Sequence, residues 1–335
     1  MKFVHFGCWN NGLCSESGTN GLSIMTKKLN EYILTNSIEF LTVAGDNYYP
    51  KKELTGKKFN DVEFNSGFEC LPKQIKKYLI FGNHDIDDII VNDEGVALKC
   101  KILEEQIKKA EDNNTFEIFN DVLHKIIGNT LIIMFDSNLY EEDKTKFIRD
   151  TCYNKLFNSF VEKSELKIKD LIDYQNTFIS DLITTNPTVK NIIFIAHHPI
   201  YSIKSKIKNS VEIKDDYETT NLIIFLKNIQ ELLVGKKIYH LCADTHIYQE
   251  GIIILSPTIS IKQYIVGTGG ASQDNIYSLD NTILKDDVVV YRKFNEKKEF
   301  GFLEVEILDD DVKCNFISAS VMRGGGLKKY KILKK

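Results

Sequence analysis

The sequence predicts an α/β fold, and three observations carry that reading. Short apolar runs rich in β-branched residues alternate with amphipathic stretches through the first two-thirds of the 335 residues. Four of those runs lead directly into small polar clusters carrying Asp, Asn, His or Tyr. After Ile261 the pattern becomes a period-two alternation broken by short charged turns, which is a β-rich ending.

Met1 to Gly7 reads as a strand. Leu22 to Thr35 reads as a helix, because Leu22, Met25, Leu29 and Ile33 recur at helical spacing. Phe40 to Ala44 is a second strand. Residues 51–78 are polar, Lys-rich and punctuated by Gly, and read as a long loop. Tyr78 to Phe81 is a strand and Val96 to Asp112 a helix with charged faces. Thr130 to Asp136 is a strand, Leu166 to Thr184 a helix, and Ile192 to Ala196 and Lys237 to Cys242 are strands around a helix at Asn221 to Leu233. Gln263 to Val266 leads into Gly267–Gly270, read as a tight turn, and Val288 to Phe294, Gly301 to Leu308 and Val312 to Ala319 complete the β ending. No linker or internal repeat interrupts the chain, so residues 1–322 form one domain, followed by a basic, solvated tail over 323–335.

Bulk properties remove several functional classes. With 43 % hydrophobic and 27 % charged residues the composition is that of an ordinary soluble protein. A net charge of −4 gives no reason to expect a nucleic-acid partner, and with Arg149, Arg292 and Arg323 as its only arginines the chain has few bidentate phosphate grips. No apolar run is long enough to span a membrane and no signal peptide is visible. Seven irregularly spaced cysteines fit reduced thiols better than a disulfide framework, which implies a cytoplasmic setting.

The polar clusters carry the chemistry. They are Gly45–Tyr49, Gly82–Asp85, His197–Pro199 and Ala243–His246. In an open α/β sheet, residues just past the carboxyl ends of the strands meet in one crevice. Asp46, Tyr49, Asn83, His84, His197, Asp244 and His246 would gather there, all metal ligands or acid–base groups, which implies a metal-dependent hydrolase. A dinuclear centre needs a bridging carboxylate, and Asp46 follows a Gly that leaves room for one. Asn83 can offer an amide oxygen, His197 and His246 imidazole nitrogens, and His84 can serve as a general acid.

The order GD-x-x-Y, GNHD, H-x-P and a terminal x-H loop resembles the calcineurin-like metallophosphoesterases, and within them the purple acid phosphatase branch. Gly45-Asp46-Asn47-Tyr48-Tyr49 is similar to that branch's second motif, Phe6 to Asn10 lies at its first, and Phe300 to Ala319 resembles its closing strands. The resemblance implies a four-layer αββα sandwich of two mixed sheets. It also implies phosphomonoester hydrolysis at two divalent or mixed-valence ions of iron, zinc or manganese. One ion would take residue 8, Asp46, Tyr49 and His246, and the other Asp46, Asn83, His197 and residue 244. His84 would contact the phosphate as acid, and His198 would line the pocket.

Two positions depart from the family pattern. Cys8 and Asp244 stand where the family carries Asp and His. Asp244 is compatible with a ligand or a turn role. Cys8 is compatible with a softer ligand or a buried inert thiol, with the Asn10 carbonyl as a fallback ligand. Trp9 and Asn10 are expected to line the substrate pocket, with the core as the alternative for Trp9, while His5, His124 and His240 read as structural. Asp46 and Asn83-His84-Asp85 could also serve as plain turn or cap groups. The expected substrate is a small phosphorylated compound or a phosphoprotein. The alternatives are a catalytically impaired binding module, motivated by Cys8 and Asp244, and a phosphodiesterase or nuclease on the same scaffold. Residues 51–77 and 201–218 are expected to flank the pocket as loops that set specificity.

Overall fold

The computed structural model describes residues 1–50, 52–53, 56–57, 59–86, 93–118, 122–141, 168–208, 211–277, 282–285 and 289–319. In chain order the elements begin β1 (Lys2–Phe6), α1 (Gly21–Thr35), β2 (Phe40–Ala44), β3 (Lys52–Glu53), β4 (Gly56–Lys57), α2 (Asp61–Cys70) and β5 (Lys76–Ile80). They continue with α3 (Asn83–Ile86), α4 (Asp93–Asp112), β6 (Phe116–Ile118), β7 (Leu123–Ile127) and β8 (Thr130–Met134). A 3-10 turn at Ser137–Tyr140 precedes α5 (Ile168–Thr185), β9 (Asn191–Ile195), β10 (Tyr201–Lys208), β11 (Val211–Glu218), α6 (Thr220–Asn228), α7 (Gln230–Leu233) and β12 (Lys237–Cys242). The remaining strands are β13 (Tyr248–Ser256), β14 (Ile259–Val266), β15 (Thr282–Lys285), β16 (Val289–Lys297), β17 (Gly301–Ile307) and β18 (Val312–Ser318).

Two mixed sheets follow from this order. The first runs β18-β17-β1-β2-β5-β6, with β1, β2, β5 and β6 parallel and the two C-terminal strands antiparallel. The second runs β15-β16-β13-β14-β12-β9-β8-β7, with a parallel centre of β14, β12, β9 and β8. Central strands need apolar residues on both faces, which is why their sequences read as unbroken apolar runs. In β9, Ile193 and Ile195 join the cluster shared with the first sheet, and Ile192 and Phe194 join the cluster beneath α5 and α6. In β8, Ile132 and Met134 face the first sheet while Leu131 and Ile133 face the helices. Leu22, Met25 and Leu29 of α1 and Phe64 and Phe68 of α2 cover the outer face of the first sheet. The result is the αββα layering expected from the resemblance. The centres of β1, β2, β5, β9 and β12 end on one side of the sandwich.

Three readings of the sequence need correction. The segment 51–78 contains helix α2, nucleated by Asn60, whose side chain accepts from the Val62 and Glu63 amides. Gly67 hides the helix in the sequence, yet a Cβ there would collide with the Asn10 side chain. The segment 201–218 is the hairpin β10–β11, paired in register from Tyr201↔Glu218 to Lys208↔Val211. Finally, Cys14 and Cys70 form a disulfide and Cys100 is disulfide-bonded as well, so the cysteines are not all reduced. Cys8, Cys242 and Cys314 are free thiols. The tail over 323–335 lies outside the described residues, and among the described residues no helix is long and apolar enough to cross a membrane.

Candidate metal centre

Strands β1, β2 and β12 end alike, in a small residue followed by a residue in the left-handed region. Gly7-Cys8, Gly45-Asp46 and Ala243-Asp244 place Cys8, Asp46 and Asp244 all at φ 54°. That conformation costs an ordinary L-residue about 1–2 kcal/mol, and no other non-glycine residue among the described ones has positive φ. Strain of this kind clusters where a side chain must be aimed at a site. Here the aim is convergent. Cys8 Sγ, an Asp46 oxygen and a His197 nitrogen lie within 4.8 Å of one another, as do ligand atoms of His197, His198 and Asp244. Gly45, at φ 79°, permits the approach, because a Cβ there would sit 2.6 Å from Gly82 Cα and 2.7 Å from His197 Nδ1. The Gly267–Gly270 turn closes the rim: Gly269 N donates to Gly7 O at 3.0 Å and Ala271 N to Cys8 O at 2.9 Å.

Asp85 ties two of the loops together from beneath. Its carboxylate accepts from Gly82 N at 2.8 Å, Asn47 N at 3.0 Å and Gln106 Nε2 at 2.8 Å. Burial raises its pKa, the Asp46 charge adds to that, and the three donors pull back, leaving it at about 6. Asn47 completes the lattice by donating to Ile80 O and Gln106 Oε1. This scaffold fixes the separation of Asp46 from Asn83 and His84. His84 N donates to Asp46 Oδ1 at 2.9 Å, and its half-buried ring lies 4.6 Å from that of Tyr49.

Proton positions follow from the partners. His197 Nδ1 is 2.6 Å from Ala44 O and His246 Nδ1 is 2.8 Å from Ser272 O, and a carbonyl only accepts, so both Nδ1 atoms carry hydrogen. Their Nε2 atoms therefore turn lone pairs inward when the rings are neutral. His197 Nε2 faces Asn83 Oδ1 at 3.2 Å, Asp46 Oδ1 at 3.4 Å and Asp244 Oδ1 at 3.7 Å. His246 Nε2 faces Tyr49 Oη at 3.1 Å, whose single proton is donated to Asp46 Oδ2 at 2.6 Å. Electron-pair donors thus outnumber protons on both sides of Asp46, which is what a cation site requires. Electrostatics agree. Burial works against ionising Asp46, but His197, His84, the Tyr49 hydroxyl and His246 outweigh it and hold the carboxyl well below the usual range. Burial lowers His197, yet the Asp46 and Asp244 charges raise it overall, while burial pushes Asp244 up despite His197.

A sixth strand end contributes a residue that the sequence reading did not single out. Ser137, three residues past β8, accepts from His197 N at 3.1 Å and His198 N at 2.9 Å, filling both lone pairs. Its hydroxyl must then donate to His198 Nδ1 at 2.9 Å, which leaves His198 the Nε2–H tautomer. The rule that found the other clusters, polar residues just after an apolar run, applies equally to Asp136-Ser137 after TLIIM. Asp274, which accepts from His246 N at 2.9 Å, lacked any such signal. Tyr217 of β11 stands 6.2 Å from the His198 ring and donates to Glu141.

The structure brings Cys8, Asp46, Tyr49, Asn83, His84, His197, His198, Asp244 and His246 together. It turns Trp9 and Asn10 away. Trp9 is fully buried, donates to Asn47 Oδ1 at 3.0 Å and packs edge-on against Phe6 and Phe68. Asn10 Nδ2 donates to Phe64 O of α2 at 3.0 Å. Both hold the Cys8 loop rather than line a pocket. His5 and His240 are structural, as expected: they are fully buried, bonded to Cys242 O and His198 O, and kept neutral by burial.

The family model for calcineurin-like phosphoesterases matches residues 1–248, which ends just beyond His246. The chain belongs to that family. As a calcineurin-like phosphoesterase it is of the metal-dependent, ester-hydrolysing type, and the donor set around Asp46 fits divalent ions. Among solved structures, one of PhoD is similar at a TM-score of 0.56 and 9 % identity, covering 97 % of this chain and 73 % of that one. At that identity the likeness speaks for the fold alone. No curated protein matches the sequence.

Proposed function

We propose that this calcineurin-like phosphoesterase hydrolyses phosphomonoesters at a pair of divalent ions bridged by Asp46. The observation that carries the reading is the division of the Asp46 carboxylate. Oδ2 meets the Tyr49–His246 side and Oδ1 the His197–Asn83–Asp244 side. Tyr49, His246 and Cys8 would hold one ion and Asn83, His197 and Asp244 the other, a grouping that agrees with the purple acid phosphatase branch. When bound, two such ions polarise phosphoryl oxygens and make water a competent nucleophile.

The chain's own groups do the rest. The Nε2–H of His198, set by Ser137, can donate to a phosphoryl oxygen. His84, beside Tyr49 at the mouth of the site, can deliver a proton to the leaving oxygen. Asp85 and Gln106 keep the two loops at fixed spacing during turnover.

The test combines elemental analysis with turnover of p-nitrophenyl phosphate and bis(p-nitrophenyl) phosphate. Two ions per chain and a preference for the monoester are expected, with Asp46→Asn losing both ions together. Preference for the diester would reassign the substrate class. Two ions with no turnover of either ester would favour a binding module, the reading that Cys8 and Asp244 motivate. Activity appearing only in Cys8→Asp with Asp244→His would establish that alternative.

A further inference from the structure

The free thiol at position 8 sits where the proposed centre needs an anionic ligand. Cys8 is fully buried, shares φ 54° with Asp46 and Asp244, and is the first residue past β1 except for Gly7. Its Sγ lies within 4.8 Å of both an Asp46 oxygen and a His197 nitrogen. Its backbone is held on both sides, N donating to Gly45 O at 3.1 Å and O accepting from Ala271 N at 2.9 Å. An inert buried thiol packs among apolar atoms; this one is placed beside the Asp46 carboxylate and the His197 imidazole. The other buried free thiol among the described residues contrasts with it. Cys242 Sγ is turned towards Tyr264 O at 3.6 Å, within the strand layer.

We infer that Cys8 ligates metal through its sulfur and makes this a borderline-soft centre selecting Zn²⁺ or Co²⁺ over Mg²⁺ and Fe³⁺. The inference rests on the dinuclear reading above and specifies its ligand chemistry. A sulfur donor adds the negative charge a carboxylate would, so the charge balance is kept while hardness falls. On binding, the S–H proton passes to solvent and the freed lone pair on sulfur forms the bond to the ion, with no change of oxidation state. The neighbouring ligands are oxygen and nitrogen donors, so the preference moves towards zinc without becoming a site for copper(I), which thiolate-rich sets take.

The experiment loads the full-length, ion-stripped protein with Co²⁺ and records its absorption spectrum. Wild-type protein should show visible d–d bands together with a near-ultraviolet sulfur-to-cobalt charge-transfer band. Cys8→Ser should keep the d–d bands and lose the charge-transfer band, and Cys242→Ser should keep both. Because Cys8→Ser could fold poorly, Cys8→Asp provides a second arm. It should bind Co²⁺ without the sulfur band and, in competition, exchange Zn²⁺ for Mn²⁺ more readily than wild type. Bound Co²⁺ with no sulfur band in the wild type, or a band that survives in both Cys8 variants, overturns the inference while leaving the dinuclear reading intact. Absence of any bound Co²⁺ overturns both.

Discussion

His84 is the residue whose role depends most on where its neighbours place it. Its amide is committed to Asp46 and its ring rests against Tyr49, so the imidazole is presented beside the proposed ligands rather than among them. His84→Ala should therefore lower kcat by about 10²–10⁴-fold with bound metal unchanged; steady-state kinetics with elemental analysis would show it, and unaltered kcat removes the residue from the mechanism. His5 and His240 predict a different response. Burial holds their pKa values at about 3 and about 4, below the 6.5 of a free imidazole. The unfolded chain then binds the extra protons, so stability is complete above pH 6.5 and falls as pH drops towards 4. Each group contributes a slope of about 1.4 kcal/mol per pH unit in that window. Urea midpoints at pH 7, 6 and 5 would measure it, and His240→Gln should make the decline shallower by that residue's share, with the raised Asp85 carboxyl opposing both histidines in the same window. At this scale the convergence of the polar residues was highly legible, because they sit directly after apolar runs. Trp9 and Asn10 misled, since adjacency to Cys8 in the chain says nothing about which way a side chain turns. Asp85, although inside a recognised cluster, showed its bracing role only once Gln106 came from another helix.

Helix α2 and the Cys8 loop act as a unit. Asn10 bonds to Phe64 O, Trp9 packs on Phe68, Cys14 N donates to Ser66 Oγ at 3.1 Å, and Cys14 is joined to Cys70 at the helix end. Gly67→Ala would normally strengthen a helix interior by roughly 0.5–1 kcal/mol. Here the added Cβ meets the buried Asn10 side chain, so a loss of about 1–3 kcal/mol is expected instead. A chemical denaturation curve decides the sign. The disulfide spans a sequence separation of 56, for which chain entropy gives about 4 kcal/mol. Cys14→Ser with Cys70→Ser should lower Tm accordingly, and an unchanged Tm would mean the bridge does not hold this unit. These elements were the least legible in the sequence. Gly67 and the run of lysines before α2 imitate a loop, and spacing alone cannot pair cysteines. The alternation in β10 and β11 was readable, but Lys and Asp on the outward positions disguised it as a polar segment.

The two sheets form separate strand ladders, and the site is where they are asked to cooperate. Cys8, Asp46 and Asn83 follow strands of the first sheet, whereas His197, Asp244 and His246 follow strands of the second. Ions bound to this set stabilise only the folded chain, by about 2.7 kcal/mol when free metal is 100-fold above Kd. Chelation should therefore lower Tm, and Asp46→Asn should abolish the difference. The layering was legible because buried parallel strands betray themselves by composition, while the pairing of the outer strands depends on register, which a single sequence does not encode openly. The split origin of the proposed ligands bears on how the molecule breathes. Without ions, the two sheets are joined across the midplane by a shared apolar cluster and by a few hydrogen bonds such as Gly7 N to Val266 O at 3.0 Å, and the strand ends at that seam should exchange their amide hydrogens first. With the ions in place that seam is riveted, and β1, β2, β9 and β12 should exchange together, only in openings that undo the whole chain.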